Sequence, residues 1–241
     1  MCKKTIKISL AIIIGLIIFE SGVAMEKIVN KPKCKEKTET KIEVKKVKTK
    51  KDFNKDENIL FLGDSITEIY PLYEIYENMP VIKSGVSGYK TDDILDNAEK
   101  MIYQYNPTKI VLLIGTNDIS HDTSDEKVDE TIENIKKIIS QIKENRSKAT
   151  IYVESLYPVN RSMNQDMVAD RNNEVIQKMN KKIEELCIEN KVTYIDMYNK
   201  LTDSDGNFDK QYTYDGLHPS TLGYIRITNV LKKYIFEGYD I

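Results

Sequence analysis

Residue types that commonly bind metal ions are scarce in this chain of 241 residues. The two histidines are His121 and His218, and the three cysteines are Cys2, Cys34 and Cys187. The cysteines show neither a pairing pattern nor metal-site spacing, and two histidines are too few for a histidine-rich zinc centre. Cys187 lies on the apolar stripe of a predicted helix, where a small core residue is expected. We therefore expect no metal site and no cofactor.

Long apolar runs are also lacking. The run at residues 8–19 is apolar except for Ser9, but its twelve residues are short for a membrane-spanning helix, which needs about 20. Lysines precede this run and the small residues 21–24 follow it, which is the pattern of a secretory signal. We expect cleavage after Ala24, with an uncleaved membrane anchor as the alternative. Because no cysteine directly follows the run, a lipoprotein is not expected.

Charge of one sign does not dominate the whole chain, but it is unevenly distributed. Residues 1–25 carry three lysines and one glutamate, a net of +2, and residues 26–57 carry twelve lysines and seven acids, a net of +5. The total of −2 then leaves −9 for residues 58–241. Because an acidic domain repels phosphate backbones, we expect no nucleic acid partner for the folded part.

The segment at residues 25–57 has few large apolar groups and no usable periodicity. Such a composition cannot bury enough surface to offset the entropy lost on ordering, so we predict a disordered linker. Its basic excess suits anionic envelope polymers or lipid head groups, although a solvated spacer is the simpler interpretation. The chain thus divides into a leader (1–24), a linker (25–57) and one domain (58–241).

From residue 58 onward, short apolar runs alternate with amphipathic stretches. Strands are predicted to begin near Ile59, Val81, Ile110, Ile151 and Val192. Single apolar faces between them indicate helices, with Thr91 and Thr123 as predicted caps. Regular alternation of this kind predicts parallel strands with helices on both faces of the sheet, and no internal repeat is present.

The first predicted strand leads into a candidate nucleophile. Residues 59–62 form a continuous apolar run, which is typical of a strand buried on both faces, and Gly63 ends it. Ser65 then stands at the carboxyl end of the strand, the edge at which open α/β sheets bind their ligands. Taken alone, the stretch GDSIT at residues 63–67 fits a helix cap as well as a nucleophile.

Potential hydrogen-bond donors follow the second and third predicted strands. GVSG occupies residues 85–88 and GTND occupies residues 115–118. Glycines expose backbone N–H groups, and Asn117 offers a side-chain amide, so these loops together could form an oxyanion hole. Ordinary turn chemistry is the alternative for either loop taken alone.

An aspartate and a histidine stand three positions apart before the last predicted helix, in DGLH at residues 215–218. One tight turn can present both side chains, so that Asp215 holds the tautomer of His218 while the other ring nitrogen takes a proton from Ser65. A helix cap beside a surface histidine is the alternative.

Together and in this order, GDSIT, GVSG, GTND and DGLH resemble the four sequence blocks of the SGNH (GDSL-type) hydrolase superfamily of esterases and lipases. The resemblance spans essentially all of residues 58–241. It implies a three-layer α/β/α, flavodoxin-like fold, which agrees with the single domain and five-stranded parallel sheet predicted above. It also implies Ser65 as nucleophile, His218 as base and Asp215 as the residue that orients the base. The implied oxyanion donors are the Ser65 and Gly88 backbone N–H groups and the Asn117 side chain.

The expected activity is hydrolysis of carboxylic esters through an acyl-enzyme. Near the active edge the sequence has polar, tyrosine-bearing loops at residues 69–76, 120–124 and 157–166, whereas long-chain lipases need a substantial apolar surface. We therefore expect short acyl groups, above all acetyl esters on carbohydrate. A lysophospholipase or lipid esterase, an O-acyltransferase and a non-catalytic carbohydrate-binding domain remain alternatives.

The expected partner is a small-molecule or glycan ester. The leader and the basic linker predict an extracytoplasmic protein, either secreted or, if the leader stays attached, tethered to the membrane surface by the N-terminal segment. Asp64 and Asp118, which belong to two of the blocks, are expected to hold loops together rather than to react.

Overall fold

Five short parallel strands form the centre of the domain. They are β1 (Ile59–Gly63), β2 (Val81–Gly85), β3 (Lys109–Leu113), β4 (Thr150–Glu154) and β5 (Thr193–Ile195). Their order across the sheet is β2-β1-β3-β4-β5, and all four neighbouring pairs run parallel. Every strand begins within one residue of its predicted start. The predicted α/β fold with a five-stranded parallel sheet is confirmed.

The structure, a computed structural model, describes residues 57–236. The predicted leader at residues 1–24 and the predicted linker, except for its last residue, lie outside the described residues. Their division from the domain therefore stays a prediction.

Helices connect the strands and cover both faces of the sheet. They are α1 (Ser65–Ile69), α2 (Leu72–Ile75), α3 (Thr91–Asp96), α4 (Ala98–Met101), α5 (Asp125–Asn145), α6 (Gln165–Val168), α7 (Asn173–Asn190), α8 (Tyr198–Leu201) and α9 (Thr221–Ile235), with a 3₁₀ turn at Tyr103–Tyr105. Helix α5 packs between α3 and α7, while the Tyr224 hydroxyl of α9 donates to the Ile66 carbonyl of α1. Within residues 57–236, no helix has the length and apolar character needed to cross a bilayer.

The core lies on both sides of the inner strands. Every residue of β1 is buried, and β3 is buried after Lys109, because helices cover these strands on both faces. The edge strand β2 is only partly buried. Each large aliphatic side chain buried in this way contributes about 1.5–3 kcal/mol to folding. This core fixes the strand ends, from which the candidate site is built.

Two predicted helix starts were wrong by one residue. Ser124, not Thr123, caps α5, because its side chain accepts a hydrogen bond from the Lys127 N–H. Thr91 is the first residue of α3 rather than its cap. Its hydroxyl donates instead to Asp118, 2.5 Å away, so this threonine ties two loops of the site together.

A predicted long helix that includes Val168 is interrupted in the structure. Helix α6 ends at Val168 and α7 begins at Asn173. Between them Ala169 has a φ of 54° and a ψ of −131°, a sparsely populated conformation that costs a residue other than glycine on the order of 1–3 kcal/mol. The break contains Arg171, whose side chain is buried. The break between α6 and α7 therefore directs the charged side chain of Arg171 into the domain.

Candidate active site

Three loops meet at the carboxyl edge of the sheet. Strand β1 lies between β2 and β3, and the three strands end at the same level. Ser65 follows β1, Gly88 follows β2, and Asn117 follows β3. The parallel topology thus brings the predicted nucleophile between the loops that carry two of the predicted oxyanion donors.

Ser65 is the first residue of the short helix α1. Asp64 caps this helix by accepting a hydrogen bond from the Ile66 N–H through Oδ1, at 2.9 Å. The Ser65 side chain is mostly buried, with 8% of the residue exposed. Its backbone N–H, one of the unpaired donors at a helix start, has no acceptor within residues 57–236. Hydroxyl and N–H are therefore both available to a bound ester.

A continuous chain of hydrogen bonds joins the three predicted catalytic side chains. Ser65 Oγ lies 2.9 Å from His218 Nε2, and His218 Nδ1 lies 2.7 Å from Asp215 Oδ2. The carboxylate can only accept, so Nδ1 carries a proton, and in the neutral ring Nε2 then accepts from the serine hydroxyl. This is the arrangement in which histidine can act as a base toward Ser65.

A tight turn holds Asp215 and His218 in place. Asp215 Oδ1 accepts the backbone N–H groups of Leu217, at 2.9 Å, and His218, at 2.7 Å. Gly216 has a φ of 85°, and a side chain on it would collide with the Asn160 carbonyl. The glycine is therefore required both by the backbone conformation and by the close approach of Asn160.

The second loop presents a backbone donor at Gly88. Its φ of 81° favours glycine, and its N–H has no acceptor among the residues described. The preceding residue is held by Glu68, whose carboxylate accepts from the Ser87 N–H at 3.0 Å and from the Ser87 hydroxyl. This contact fixes the loop from the side of α1.

The Asn117 amide is bonded on two sides. Its Nδ2 donates to the Tyr89 carbonyl at 3.0 Å, and its Oδ1 accepts from Arg171 Nη2 at 2.8 Å. An amide nitrogen carries two N–H groups, so one N–H of Asn117 stays available in the part of the chain that the structure describes. Asn117 can therefore donate to an oxyanion.

Two buried aspartates support the loops. Asp118 accepts from both the backbone N–H and the hydroxyl of Thr91, and burial raises its pKa. Burial also raises the pKa of Asp64 to about 7, although the Ile66 N–H and the charge of Arg171 oppose the shift. The Thr91 contacts agree with the expected loop-holding role of Asp118. The Asp64 side chain, in contrast, caps its own helix, and its Oδ2 has no hydrogen-bond partner within residues 57–236.

Of the four tyrosines in the predicted substrate loops, Tyr73 is 55% exposed, but the other three are buried, which corrects the expectation for those positions. Tyr70, Tyr76 and Tyr157 are at most 4% exposed. Tyr70 packs against Tyr76 and its hydroxyl approaches Thr228 at 2.6 Å, while the Tyr157 hydroxyl donates to buried Glu154. These rings fill the core because they carry large apolar surfaces and find internal hydrogen-bond partners. They do not face a substrate.

Sequence reasoning missed two residues beside the site. Tyr214 stacks on His218, with ring centroids 5.8 Å apart and an angle of 15° between the planes, and is 55% exposed. Arg171 contacts Asn117. Arginine is rare in this lysine-rich chain, and this rarity is the sequence signal that could have identified Arg171. The four arginines are Arg146, Arg161, Arg171 and Arg226. Arginine is preferred where one buried side chain must donate to several acceptors.

A polar pocket of about 380 Å³ adjoins the Asn117 loop. Its lining includes Ser120, His121, Asn164, Asp166 and Arg171. The Ser120 hydroxyl donates to the Asn117 carbonyl at 2.9 Å, which links the pocket to the loop. No cluster of three or more potential metal ligands occurs within residues 57–236.

Known proteins are similar to this chain in sequence and in fold. The model of the GDSL-like Lipase/Acylhydrolase family matches residues 61–226. A solved protein from Streptococcus pneumoniae, named after platelet activating factor, is 39% identical, with a TM-score of 0.69 over 74% of this chain and 83% of that chain.

This chain covers different shares of two curated relatives. An N-acylneuraminate cytidylyltransferase of Escherichia coli O18:K1:H7 is 28% identical over 185 residues, covering 76% of this chain and 42% of the relative. The chain thus spans less than half of that protein. The human platelet-activating factor acetylhydrolase IB subunit alpha1 is 24% identical over 189 residues, covering 76% of this chain and 78% of the relative.

Proposed function

The chain belongs to the GDSL-like lipase/acylhydrolase family and is a carboxylic-ester hydrolase, and on this basis we propose that it removes short acyl groups, above all acetyl, from carbohydrate esters. In this proposal Ser65 is the nucleophile, His218 the general base and Asp215 the residue that orients His218. The oxyanion donors are the N–H groups of Ser65 and Gly88 and the Asn117 side chain.

The observation that carries the mechanism is the hydrogen-bond chain from Ser65 through His218 to Asp215. His218 Nε2 takes the hydroxyl proton as Ser65 Oγ forms a bond to the ester carbon. The carbonyl oxygen becomes an oxyanion, which the three donors stabilise. Collapse of this intermediate breaks the bond to the alcohol, which leaves with the proton from His218.

Water completes the cycle by the same steps. His218 removes a proton from a water molecule that attacks the acyl carbon bonded to Ser65 Oγ. The second oxyanion collapses, the bond to Ser65 breaks, and His218 returns the proton to the serine. The products are a carboxylic acid and the regenerated enzyme, so no external reductant, oxidant or cofactor enters the balance.

The polar surroundings of the site support a carbohydrate as the alcohol. His218 delivers its proton to the leaving alcohol, so groups beside His218 face that part of the substrate. The Tyr214 ring lies there and is 55% exposed. The pocket beside the Asn117 loop adds hydroxyl, amide, imidazole and carboxylate groups that can bond to sugar hydroxyls.

The names of two relatives support an acetyl group and an acylated sugar. The human relative is named as an acetylhydrolase, and the name of the E. coli relative contains N-acylneuraminate, an acylated sugar acid. These activities belong to those proteins. The acetylhydrolase name supports acetyl as the acyl group of the ester. The other name supports only a sugar acid as the carbohydrate, because its N-acyl group is an amide and this chain covers 42% of that protein.

A lipid ester is the second candidate substrate. Exposed apolar side chains favour it: Leu222 and Ile225 lie one helical turn apart near the start of α9, and Ile69 ends α1. All three are more than 40% exposed. An apolar surface near the site is what a lipid-engaging esterase needs.

A chain-length series tests the proposal. The full chain is assayed with p-nitrophenyl esters from acetate to palmitate, and with an acetylated xylo-oligosaccharide from which acetate release is measured. We expect the rate to be highest at about two to four carbons, to fall steeply by about eight, and to include the acetylated sugar, since a polar site holds long alkyl chains poorly. Ser65→Ala is the matched control for background hydrolysis. A rate that rises toward long chains would replace the carbohydrate proposal with the lipid one.

Export is a separate proposal. It rests on the charged leader and basic linker, which lie outside the described residues. Fractionation of cells that produce the full chain should find the domain outside the cytoplasm. Intact chain in the soluble cytoplasmic fraction would contradict export, and intact chain in the membrane fraction would favour the uncleaved anchor.

A further inference from the structure

We propose that Arg171 is a positioning residue of the oxyanion hole, which orients and polarises the Asn117 amide and brings a positive charge to the oxyanion through it. The inference rests on the proposed function, in which Asn117 Nδ2 donates to the oxyanion. It assigns a role in the reaction to a residue outside the four sequence blocks.

The contacts of Arg171 hold the Asn117 loop from two directions. Nη2 donates to Asn117 Oδ1 at 2.8 Å, and Nε donates to the Thr116 carbonyl at 2.7 Å. A third donor, Nη1, bonds to the Val168 carbonyl at 3.1 Å, which anchors the guanidinium to the end of α6. One rigid side chain therefore fixes both the backbone and the amide of the loop.

These contacts determine which way the Asn117 amide faces. In the observed orientation Oδ1 accepts from Arg171 and Nδ2 donates to the Tyr89 carbonyl. A flipped amide would bring its N–H groups against the guanidinium donors and its oxygen against the Tyr89 carbonyl, with both bonds lost. Without Arg171, only the Tyr89 bond would oppose that flip. The flip would put an oxygen where the oxyanion needs a donor.

The charge of Arg171 is not neutralised by a bonded acid. Its hydrogen-bond acceptors are backbone carbonyls and the Asn117 oxygen, and within residues 57–236 it forms no ion pair. The residue is only 6% exposed, and burial lowers its pKa. The charge of buried Asp64 opposes this shift without a hydrogen bond to the guanidinium. Part of the cost of burying the Arg171 cation therefore remains until further negative charge develops nearby. The oxyanion, one amide away, supplies that charge in the transition state.

Arg171 also polarises the Asn117 amide, which strengthens the bond from Asn117 to the oxyanion. When Oδ1 accepts a hydrogen bond from a cation, electron density moves toward the amide oxygen and the N–H groups become better donors. This effect helps the developing oxyanion more than the neutral ester carbonyl. Loss of Arg171 should therefore lower kcat with little change in KM.

The test is a double-mutant cycle between Arg171 and Asn117, with kcat and KM measured for p-nitrophenyl acetate on the full chain. Arg171→Met should lower kcat about 10- to 100-fold, less than the loss expected for Asn117→Ala itself. In the Asn117→Ala background, the same Arg171→Met change should lower kcat by less than about two-fold, because the group it acts through is gone.

Two further variants control for folding and charge. Arg226→Met removes an exposed arginine whose Nε likewise donates to a backbone carbonyl, that of Lys200, and should leave kcat unchanged. Arg171→Lys keeps a positive charge but loses the planar fork, so we expect an intermediate loss. Circular dichroism and thermal melting report whether each variant is folded. If Arg171→Met does not fold, the cycle is completed with Arg171→Lys and judged in the same way.

The possible results separate the inference from the proposed function. Equal losses of kcat in the two Asn117 backgrounds, or no loss in either, would overturn the role of Arg171 while leaving the oxyanion hole intact. If Asn117→Ala alone kept normal kcat, the oxyanion assignment would fall and the inference with it. A loss confined to KM would also contradict a role in the transition state.

Discussion

The base and the oxyanion amide of the proposed site are held in opposite ways. His218 is positioned by Asp215, three residues earlier, and the same carboxylate binds the intervening backbone of the turn. Asn117 is positioned by Tyr89 and Arg171, which stand 28 and 54 residues away in the chain. One half of the site is a local turn, and the other depends on the tertiary structure.

This difference has a physical consequence. A short turn closed by three hydrogen bonds keeps its geometry wherever the backbone can form it. The Asn117 amide, in contrast, is correct only when the β2 loop, the β3 loop and the break before α7 are all in place. The oxyanion half should therefore be the more sensitive to substitutions that do not touch the substrate.

Removal of the nucleophile or of the base should give the largest loss of activity. Ser65→Ala and His218→Ala should each lower kcat for p-nitrophenyl acetate by about 10⁴-fold or more, because the nucleophile and base act as a unit. The double variant should be little worse than either single one. Additive losses would show that the two side chains do not work in the same step.

Loss of the Asn117 amide should lower kcat less than loss of the nucleophile or base, but still strongly. Asn117→Ala should lower kcat by about 10²–10³-fold, since it removes one of three oxyanion donors. Asn117→Asp, of nearly the same shape, should be at least as damaging because it places a carboxylate beside the developing negative charge. An Asn117→Asp variant with normal turnover would contradict the oxyanion assignment.

Tyr214, which stacks on His218, tests whether the half of the site built on the local turn also binds the sugar. Tyr214→Ala should lower kcat/KM for an acetylated sugar by about three- to ten-fold, through loss of a stacking surface. The same change should alter the rate with p-nitrophenyl acetate much less, and Tyr214→Phe, which keeps the ring, is the matched control. Equal losses with both esters would show that Tyr214 only supports His218.

Glu154, a buried acid outside both halves of the site, should affect the stability of the fold and not the activity. Burial raises the pKa of Glu154 from 4.5 to about 7, so between these pH values the folded protein keeps a proton that the unfolded chain has released. The unfolding free energy of the wild type should therefore fall relative to Glu154→Gln as the pH rises through this window. By linkage the difference amounts to at most about 3 kcal/mol.

The matched control for this prediction is Glu184→Gln, on the exposed surface of α7. Denaturant unfolding at several pH values should give this variant the same pH dependence as the wild type. Glu154→Gln should keep kcat within about two-fold, because Glu154 bonds to Tyr157 and takes no part in the proposed chemistry. A pH dependence unchanged by Glu154→Gln would contradict the raised pKa.

Sequence predicted the parts of this molecule that depend on short-range patterns. Apolar runs marked the strands, since inner strands such as β1 are buried on both faces. The DGLH stretch was recognisable because Asp215 and His218 interact within one turn. The order of the four blocks was enough to identify the family.

The rest depends on contacts that no local pattern reveals. The position of Arg171 follows from a break at Ala169, whose left-handed φ is not expected of alanine. The buried Tyr70 hydroxyl finds its partner in Thr228 of α9, 158 residues away, and the buried Tyr157 hydroxyl donates to Glu154, the last residue of β4. Tertiary packing decided these details, and the local sequence did not contain them.

Covalent labelling of the serine tests the account most directly. A fluorophosphonate probe reacts with a serine only where a base and an oxyanion hole activate it. Peptide mass spectrometry of the labelled full chain should find the probe on Ser65, with no labelling of Ser65→Ala and greatly slowed labelling of His218→Ala. A folded wild-type protein that stays unlabelled, or that carries the probe on another serine, would contradict the proposed mechanism.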